Sequence, residues 1–189
     1  MPRKARISRT DVLDTTLALA DERGLSAVSM RAVSRRLGVT PMALYHHVRD
    51  KEDLLDGLIE RLLAELPMPD VSLPWDERLH ALAASMRETA ARHPDAFPLL
   101  LRRPVATSAA LRVRGLVYTA LRDAALPEEL VPRVERLLST FVIGFAASEV
   151  GGRFASHAQS VRDADFEWAW RHILAVVTGS IGQVIPAGG

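Results

Sequence analysis

Apolar residues recur three and four positions apart through almost the whole chain, the spacing that lines one face of an α-helix. Val12, Leu13, Leu17 and Ala20 make the first such stripe. Ser8 reads as its N-cap, with Asp11 standing where a capping box usually has Glu, and Gly24 as its stop. Leu25 to Val28 is a connector, and Ser29 caps a second helix that ends at Gly38. Val33 and Leu37 share a face before that glycine, and Leu44 and Val48 share one after it. Thr40 and Pro41 supply an N-cap and a first helical residue for a short helix over 41–48. Asp50 caps a longer helix whose Leu54, Leu55, Leu58, Ile59, Leu62, Leu63 and Leu66 form a face too broad for a three-helix head alone.

Pro67, Pro69 and Pro74 interrupt the pattern, so 67–74 is the expected boundary. Beyond it the spacing predicts a helix over 75–92 (Leu79, Leu82, Ala83, Met86, Ala90), a break at His93-Pro94 and a short helix from Phe97 to Leu101. Further helices follow from about Ser108 to Ala125, from Pro127 to Val150 and from an Asp163 cap to about Val184, with a mobile loop over 153–162. No alternating strand pattern and no repeat occurs. The expected fold is all-α: a helix-turn-helix head over 1–50 behind a loose basic arm, a linking helix over 51–66, and a larger helical body over 67–189.

Two body segments, Leu137–Ser148 and Ile173–Ile185, carry no charge at all. A helix apolar nearly all round needs cover on more than one side. Both runs are too short to span a membrane. A two-fold dimer, in which helices around 128–150 and 163–184 pack against their copies, provides that cover. An apolar monomer core is the alternative. Gly144, Gly179 and Gly182 would permit close approach in the dimer.

In the head, Met42, Ala43, Tyr45, His46 and His47 fall largely outside the inward pair Leu44 and Val48. A short helix presenting a hydroxyl, a small apolar patch, an aromatic ring and two imidazoles suits the DNA major groove better than a core. Charge agrees with this. The net charge of +1 hides a split: residues 1–51 hold ten Lys/Arg against five Asp/Glu, and the remainder fourteen against eighteen. A basic head on an acidic body suits a protein that meets a polyanion at one end.

Other chemistry is sparse. With no cysteine, disulfides, thiol catalysis and thiolate metal sites are excluded. The sequence shows neither a secretory signal nor a spanning segment, so a cytoplasmic protein without membrane contact is expected. There is no nucleophile elbow and no phosphate-cradling glycine loop. His46 and His47 point about 100° apart on a helix, a poor pair for one metal. His80, His93, His157 and His172 lie in separate elements, where surface or capping roles are expected. Glu149 faces a cavity or solvent, solvent being the expectation. No catalytic residue, metal or cofactor is therefore assigned, and the chain is not expected to be an enzyme.

The stretch Leu37-Gly38-Val39-Thr40-Pro41-Met42-Ala43-Leu44-Tyr45-His46-His47-Val48-Arg49-Asp50-Lys51, followed by Leu54-Leu55, closely resembles the DNA-binding signature of the tetracycline-repressor (TetR) family. The match covers about residues 8–60. His93-Pro94 with Phe97-Pro98-Leu99-Leu100, and the later Gly144-Phe145 helix, look like the ligand-binding half of its tetracycline-repressor-like branch. The resemblance implies an all-helical homodimer that represses transcription until a small molecule binds the body.

It also implies roles. Arg31 would fork onto a guanine edge, and Met42 and Ala43 would meet bases, an apolar surface favouring thymine methyls. Thr40, Tyr45, His47 and Lys51 would hold phosphates, Lys51 aided by a positive helix end. His46 would read a base or a phosphate, and Pro41 opens the reading helix. The partners implied are a near-palindromic operator and a small-molecule effector, which the scarcity of polar groups on the body's apolar faces marks as mainly hydrophobic. Met86, Phe97, Val117, Leu121, Phe141, Phe145 and Ser148 lie on apolar faces and either line its cavity or serve as ordinary core. The rival reading is a helical interaction protein whose basic head binds anionic surfaces without reading sequence.

Overall fold

A computed structural model of the chain describes residues 7–103 and 107–184; the basic arm expected over 1–6 lies outside them. Among the described residues every α-helix can be numbered in order: α1 Arg9–Arg23, α2 Met30–Arg36, α3 Pro41–Leu44, α4 Lys51–Ala64, α5 Trp75–Arg92, α6 Leu99–Arg102, α7 Ser108–Asp123, α8 Val131–Val150 and α9 Gln159–Val184. A single 3₁₀ turn, Leu25–Ala27, joins α1 to α2. No strand occurs among them.

The helix starts follow from local capping. The Ser8 hydroxyl accepts the Asp11 amide, and the Asp11 carboxylate accepts the Ser8 amide in return. The Ser29 hydroxyl accepts the Ala32 amide at the start of α2, and the Asp50 carboxylate accepts the Asp53 amide at the start of α4. Gly38 sits at φ +66°, where a side chain would be strained, and this turns the chain from α2 into α3.

The helices gather into two compact units. The first joins the residues up to Glu65 with Arg92–Ala110. Its core takes Val12, Leu13, Leu17 and Ala20 from α1, Val33 from α2, Leu44 from α3, and Leu54, Leu58, Ile59 and Leu62 from α4. Each large side chain among them, fully buried, contributes about 1.5–3 kcal/mol. Leu37 and Leu55 stay half-buried. Helices α1 and α4 approach so closely at Gly57 that a Cβ there would lie 2.2 Å from a Leu13 methyl.

Segment 92–110 joins this first unit although chain order places it inside the expected 67–189 body. The reason is electrostatic and apolar together. His93 puts Nδ1 2.9 Å from Asp21 of α1 and Nε2 3.1 Å from Glu65 at the end of α4. Arg103 pairs with Asp56 and Glu52 of α4, and Phe97 between them is fully buried. The segment is thus held at His93 by Asp21 and Glu65 and at Arg103 by Glu52 and Asp56.

The second unit comprises Leu66–Ala91 with the residues from Leu111 onward. Leu79, Leu82, Ala83, Met86 and Ala90 of α5 are buried, as are Val117, Ala120 and Leu121 of α7 and Leu138, Val142 and Ala146 of α8. Helices α8 and α9 meet through rings: Phe166 stacks on Phe141 at 5.6 Å and meets Phe145 edge-on at 5.2 Å.

Several expected boundaries move, among them that of the short helix expected from Phe97 to Leu101, which runs Leu99–Arg102. Regular α-helix in the reading element stops at Leu44 rather than Val48, because the chain tightens there: the amides of His47 and Val48 both donate to the Leu44 carbonyl. Helix α8 starts at Val131, after a turn in which the Leu130 amide bonds to the Pro127 carbonyl. The last helix begins at Gln159, which shortens the loop expected over 153–162. Asp163 is therefore an interior residue of α9, occupied by a distant arginine, and not its cap.

Candidate nucleic-acid interface

The reading element is built from the core outward. Leu44 is fully buried and Val48 nearly so, which turns the rest of 40–47 away from the core. Met42 is 70% exposed and Tyr45 51% exposed. Thr40, Pro41 and His46 are exposed as well, and Ala43 and His47 are half-buried. Met42 and Tyr45 stand three positions apart, so both lie on the outward side of the reading turn. Arg31 is exposed on α2 and Lys51 at the first residue of α4, so all nine residues singled out from the sequence are accessible in part or whole on this unit.

Thr40 has a structural duty as well, since its hydroxyl oxygen accepts the Ala43 amide at 3.4 Å. Its own proton is left to donate outward. Lys51 occupies the positive end of α4, where the free amides of the first turn favour a nearby anion. None of the nine is engaged as a core charge. Arg36, next to Leu37, is instead tied to Glu22 of α1.

Two residues absent from the sequence reading hold the element in place. Asp53 of α4 accepts the Arg49 amide at 2.9 Å and the Arg9 guanidinium at 3.1 Å. Arg9 donates a second bond, 2.7 Å, to the His47 carbonyl. Burial pushes the Asp53 carboxyl up, but the Arg49 amide and the Arg9 guanidinium outweigh it and hold the group below the usual aspartate value. No local pattern marks Arg9, because its two acceptors lie 38 and 44 positions away in the chain.

In the second unit, Arg87 of α5 donates to Glu149 through two bonds of 2.8 and 2.7 Å and to Asp163 at 2.8 Å. Its guanidinium lies 4.5 Å from the Phe166 ring centre. Glu149 is thus an ion-pair partner, 12% exposed at its side chain, and not a solvent-facing acid. The pair borders a cleft of about 380 Å³, lined also by Ala84, Glu88, Arg162 and Asp163. None of the seven pocket candidates lines this cleft. Met86, Val117 and Leu121 are buried in the same unit, and Phe141, Phe145 and Ser148 are half-buried on α8, the two rings 5.8 Å apart. Phe97 belongs to the first unit. Among the described residues no cluster of His, Cys, Asp and Glu is arranged for a metal, and no helix is long and apolar enough to cross a membrane.

Comparison with known proteins meets this geometry from the other side. Residues 12–58 match the family model described as bacterial regulatory proteins, tetR family, and residues 68–173 match the tetracyclin repressor-like C-terminal domain. An HTH-type transcriptional regulator of Saccharopolyspora erythraea is 31% identical over 147 residues, which is 77% of this chain and 62% of that protein's length. The chain thus spans under two thirds of the length of that curated relative.

In fold it resembles Streptomyces coelicolor ActR in complex with actinorhodin (TM-score 0.82, 24% identity, 93% of this chain and 97% of that one). It also resembles BioQ with its double-stranded DNA operator (TM-score 0.77, 22% identity, 92% and 99%). With the head matched by one model and more than half of the sequence by the other, the chain belongs to the TetR family of bacterial transcriptional regulators.

Proposed function

We propose that this chain is a homodimeric repressor that reads a near-palindromic operator and releases it when a small effector binds the second unit. The observation that carries the proposal is the exposure of Met42 and Tyr45 above a fully buried Leu44. Met42 and Ala43 meet base edges and favour thymine methyls, Arg31 takes a guanine, and Thr40, Tyr45, His47 and Lys51 hold phosphates around them, with His46 at either. The BioQ–operator complex, a protein of the same fold, supports this use of the head.

Dimerisation is supported by what a single chain leaves uncovered. Leu137 of α8 is 49% exposed and Val176 of α9 64% exposed, each within a charge-free run. A second copy covers both by two-fold symmetry. Two heads then enter successive major grooves with centres about 34–36 Å apart. The effector is assigned a mainly apolar body, since Phe141 and Phe145 keep half-exposed rings on α8. The ActR–actinorhodin complex supports a ligand-responsive second unit. Because effector and operator act on one equilibrium, operator DNA weakens effector binding by the factor by which effector weakens DNA binding.

The test is a gel-shift titration at moderate salt, with palindromic DNA drawn from a random pool set against scrambled DNA of equal length. A clear preference for the palindrome is expected. Equal affinities with steep salt dependence would instead mark a head that binds anionic surfaces without reading them.

A further inference from the structure

Helix α3 is a single turn, too short to hold its own geometry, and two of the groups it presents, His46 and His47, lie beyond its last regular residue. Their positions depend on whatever fixes the 45–49 turn. From inside, the Leu44 carbonyl takes the amides of His47 and Val48. From outside, the His47 carbonyl is one of the acceptors a helix end leaves over, and Arg9 supplies its donor at 2.7 Å. The other arm of the same guanidinium reaches Asp53 at 3.1 Å, and Asp53 in turn holds the Arg49 amide at 2.9 Å. Four points of the chain, on α1, at both ends of the 47–49 turn and on α4, are therefore joined through one planar fork.

We infer that Arg9 is a positioning residue for sequence reading: it sets the pose of the reading turn through the His47 carbonyl and Asp53, without itself holding DNA. The inference rests on the DNA-reading function proposed above. The guanidinium suits the task because it is planar and donates in two fixed directions at once, one arm to a neutral carbonyl and one to a carboxylate. A lysine carries the same charge at one point and spans only one of them. The Arg9 side chain is 41% exposed, which leaves a competing role as a phosphate ligand. The two roles differ in what they do to counterion release. A phosphate ligand contributes to binding of any DNA and to the salt slope, whereas a positioning residue affects only the operator.

The experiment measures the dissociation constants of the full-length protein and its Arg9→Lys and Arg9→Gln variants. The probes are the near-palindromic DNA selected by the wild type and a scrambled duplex, each across a salt series, with thermal melting alongside to confirm folding. The expected result is a loss of roughly tenfold to a hundredfold on the palindrome for both variants, the loss of a charge-assisted bond pair. Scrambled-DNA affinity and the slope of log affinity against log salt stay unchanged. Rescue by Arg9→Lys, or a slope lowered by about 0.9 in Arg9→Gln on both DNAs, makes Arg9 a phosphate ligand and overturns the inference. If Arg9→Gln is too unstable to measure, Arg9→Lys decides alone, because positioning predicts loss and a phosphate contact predicts retention. A wild type that does not discriminate between the two DNAs overturns the proposed function itself, a failure distinct from one confined to the variants.

Discussion

Arg87 and Glu149, 62 positions apart in the chain, face each other through two near-parallel N–H···O bonds of 2.8 and 2.7 Å, with both side chains largely shielded from water. The Nη2 that bonds Glu149 also donates to Asp163, and the face of the guanidinium lies over Phe166. One arginine of α5 therefore ties the end of α8 to the start of α9.

Removing one member of that pair strands the other. Glu149→Ala should cost about 2 kcal/mol, less than a fully buried pair would lose because Asp163 still neutralises Arg87. Replacing both residues with apolar ones of similar size, Arg87→Met with Glu149→Leu, should cost less than Glu149→Ala alone. Urea unfolding of the wild type and the two variants checks this, and a double variant less stable than the single one would contradict it.

Gly57 of α4 makes an opposite kind of contact, defined by absence. Ala is the better helix former by about 1 kcal/mol, but its methyl would require the buried Leu13 side chain to shift. Overpacking of this kind costs about 1–3 kcal/mol, so Gly57→Ala should destabilise slightly despite its propensity. In the background of Leu13→Ala, which vacates the space, the same change should stabilise. A double-mutant cycle by thermal melting reads the reversal of sign.

The acid limb of stability carries the signature of Asp53. Its carboxyl is held below the ordinary value in the folded chain, so it contributes stability that is complete above the unfolded value of about 3.9 and is lost as pH falls below that through the folded value. The Asp11 carboxylate, bonded by the Ser8 amide and hydroxyl, shifts in the same direction. Melting temperatures measured from about pH 6 down to about pH 2.5 should fall less steeply for Asp53→Asn than for the wild type. Parallel curves would show that Asp53 does not contribute.

The reading face should separate binding from folding. Met42 and Tyr45 are exposed, so Met42→Ala and Tyr45→Phe should each change stability by no more than about 0.5 kcal/mol. Met42→Ala should relax preference at a thymine, by about 1–3 kcal/mol of discrimination. Tyr45→Phe removes only a hydroxyl and should weaken all DNA alike. Leu44→Ala, by contrast, should cost about 2–5 kcal/mol of stability because that side chain is core. Melting and DNA titration on the same samples distinguish the three.

The parts of this molecule that could be read from sequence are those decided within a few residues. Ser8, Ser29, Thr40 and Asp50 start their helices where expected because a cap is a bond to an amide three residues away. Leu44 and Val48 mark the buried side of the reading turn for the same local reason, the helical period. What sequence pattern missed depends on partners far along the chain. Glu149 looks like the polar end of an apolar helix until Arg87 is brought to it. Asp163 looks like a cap until the same arginine occupies it. His93 looks like part of a break between body helices, yet it pairs with Asp21 of α1, and Arg103 pairs with Glu52 of α4, and so 92–110 packs with the head. Arg9 belongs to the same group: no periodicity announces a bond to a carbonyl 38 residues away.

Operator recognition of the kind proposed requires two reading turns held at one fixed span. Its most direct test takes the palindrome selected by the protein and inserts about five base pairs between the half-sites, then about ten. Half a helical turn places the second half-site on the opposite face of the duplex, and a whole turn returns it. Affinity should collapse toward that of scrambled DNA with the shorter insertion and recover only in part with the longer one, since the span has grown. Affinity indifferent to both insertions would mean heads that act singly, and would contradict a dimer reading two half-sites at once.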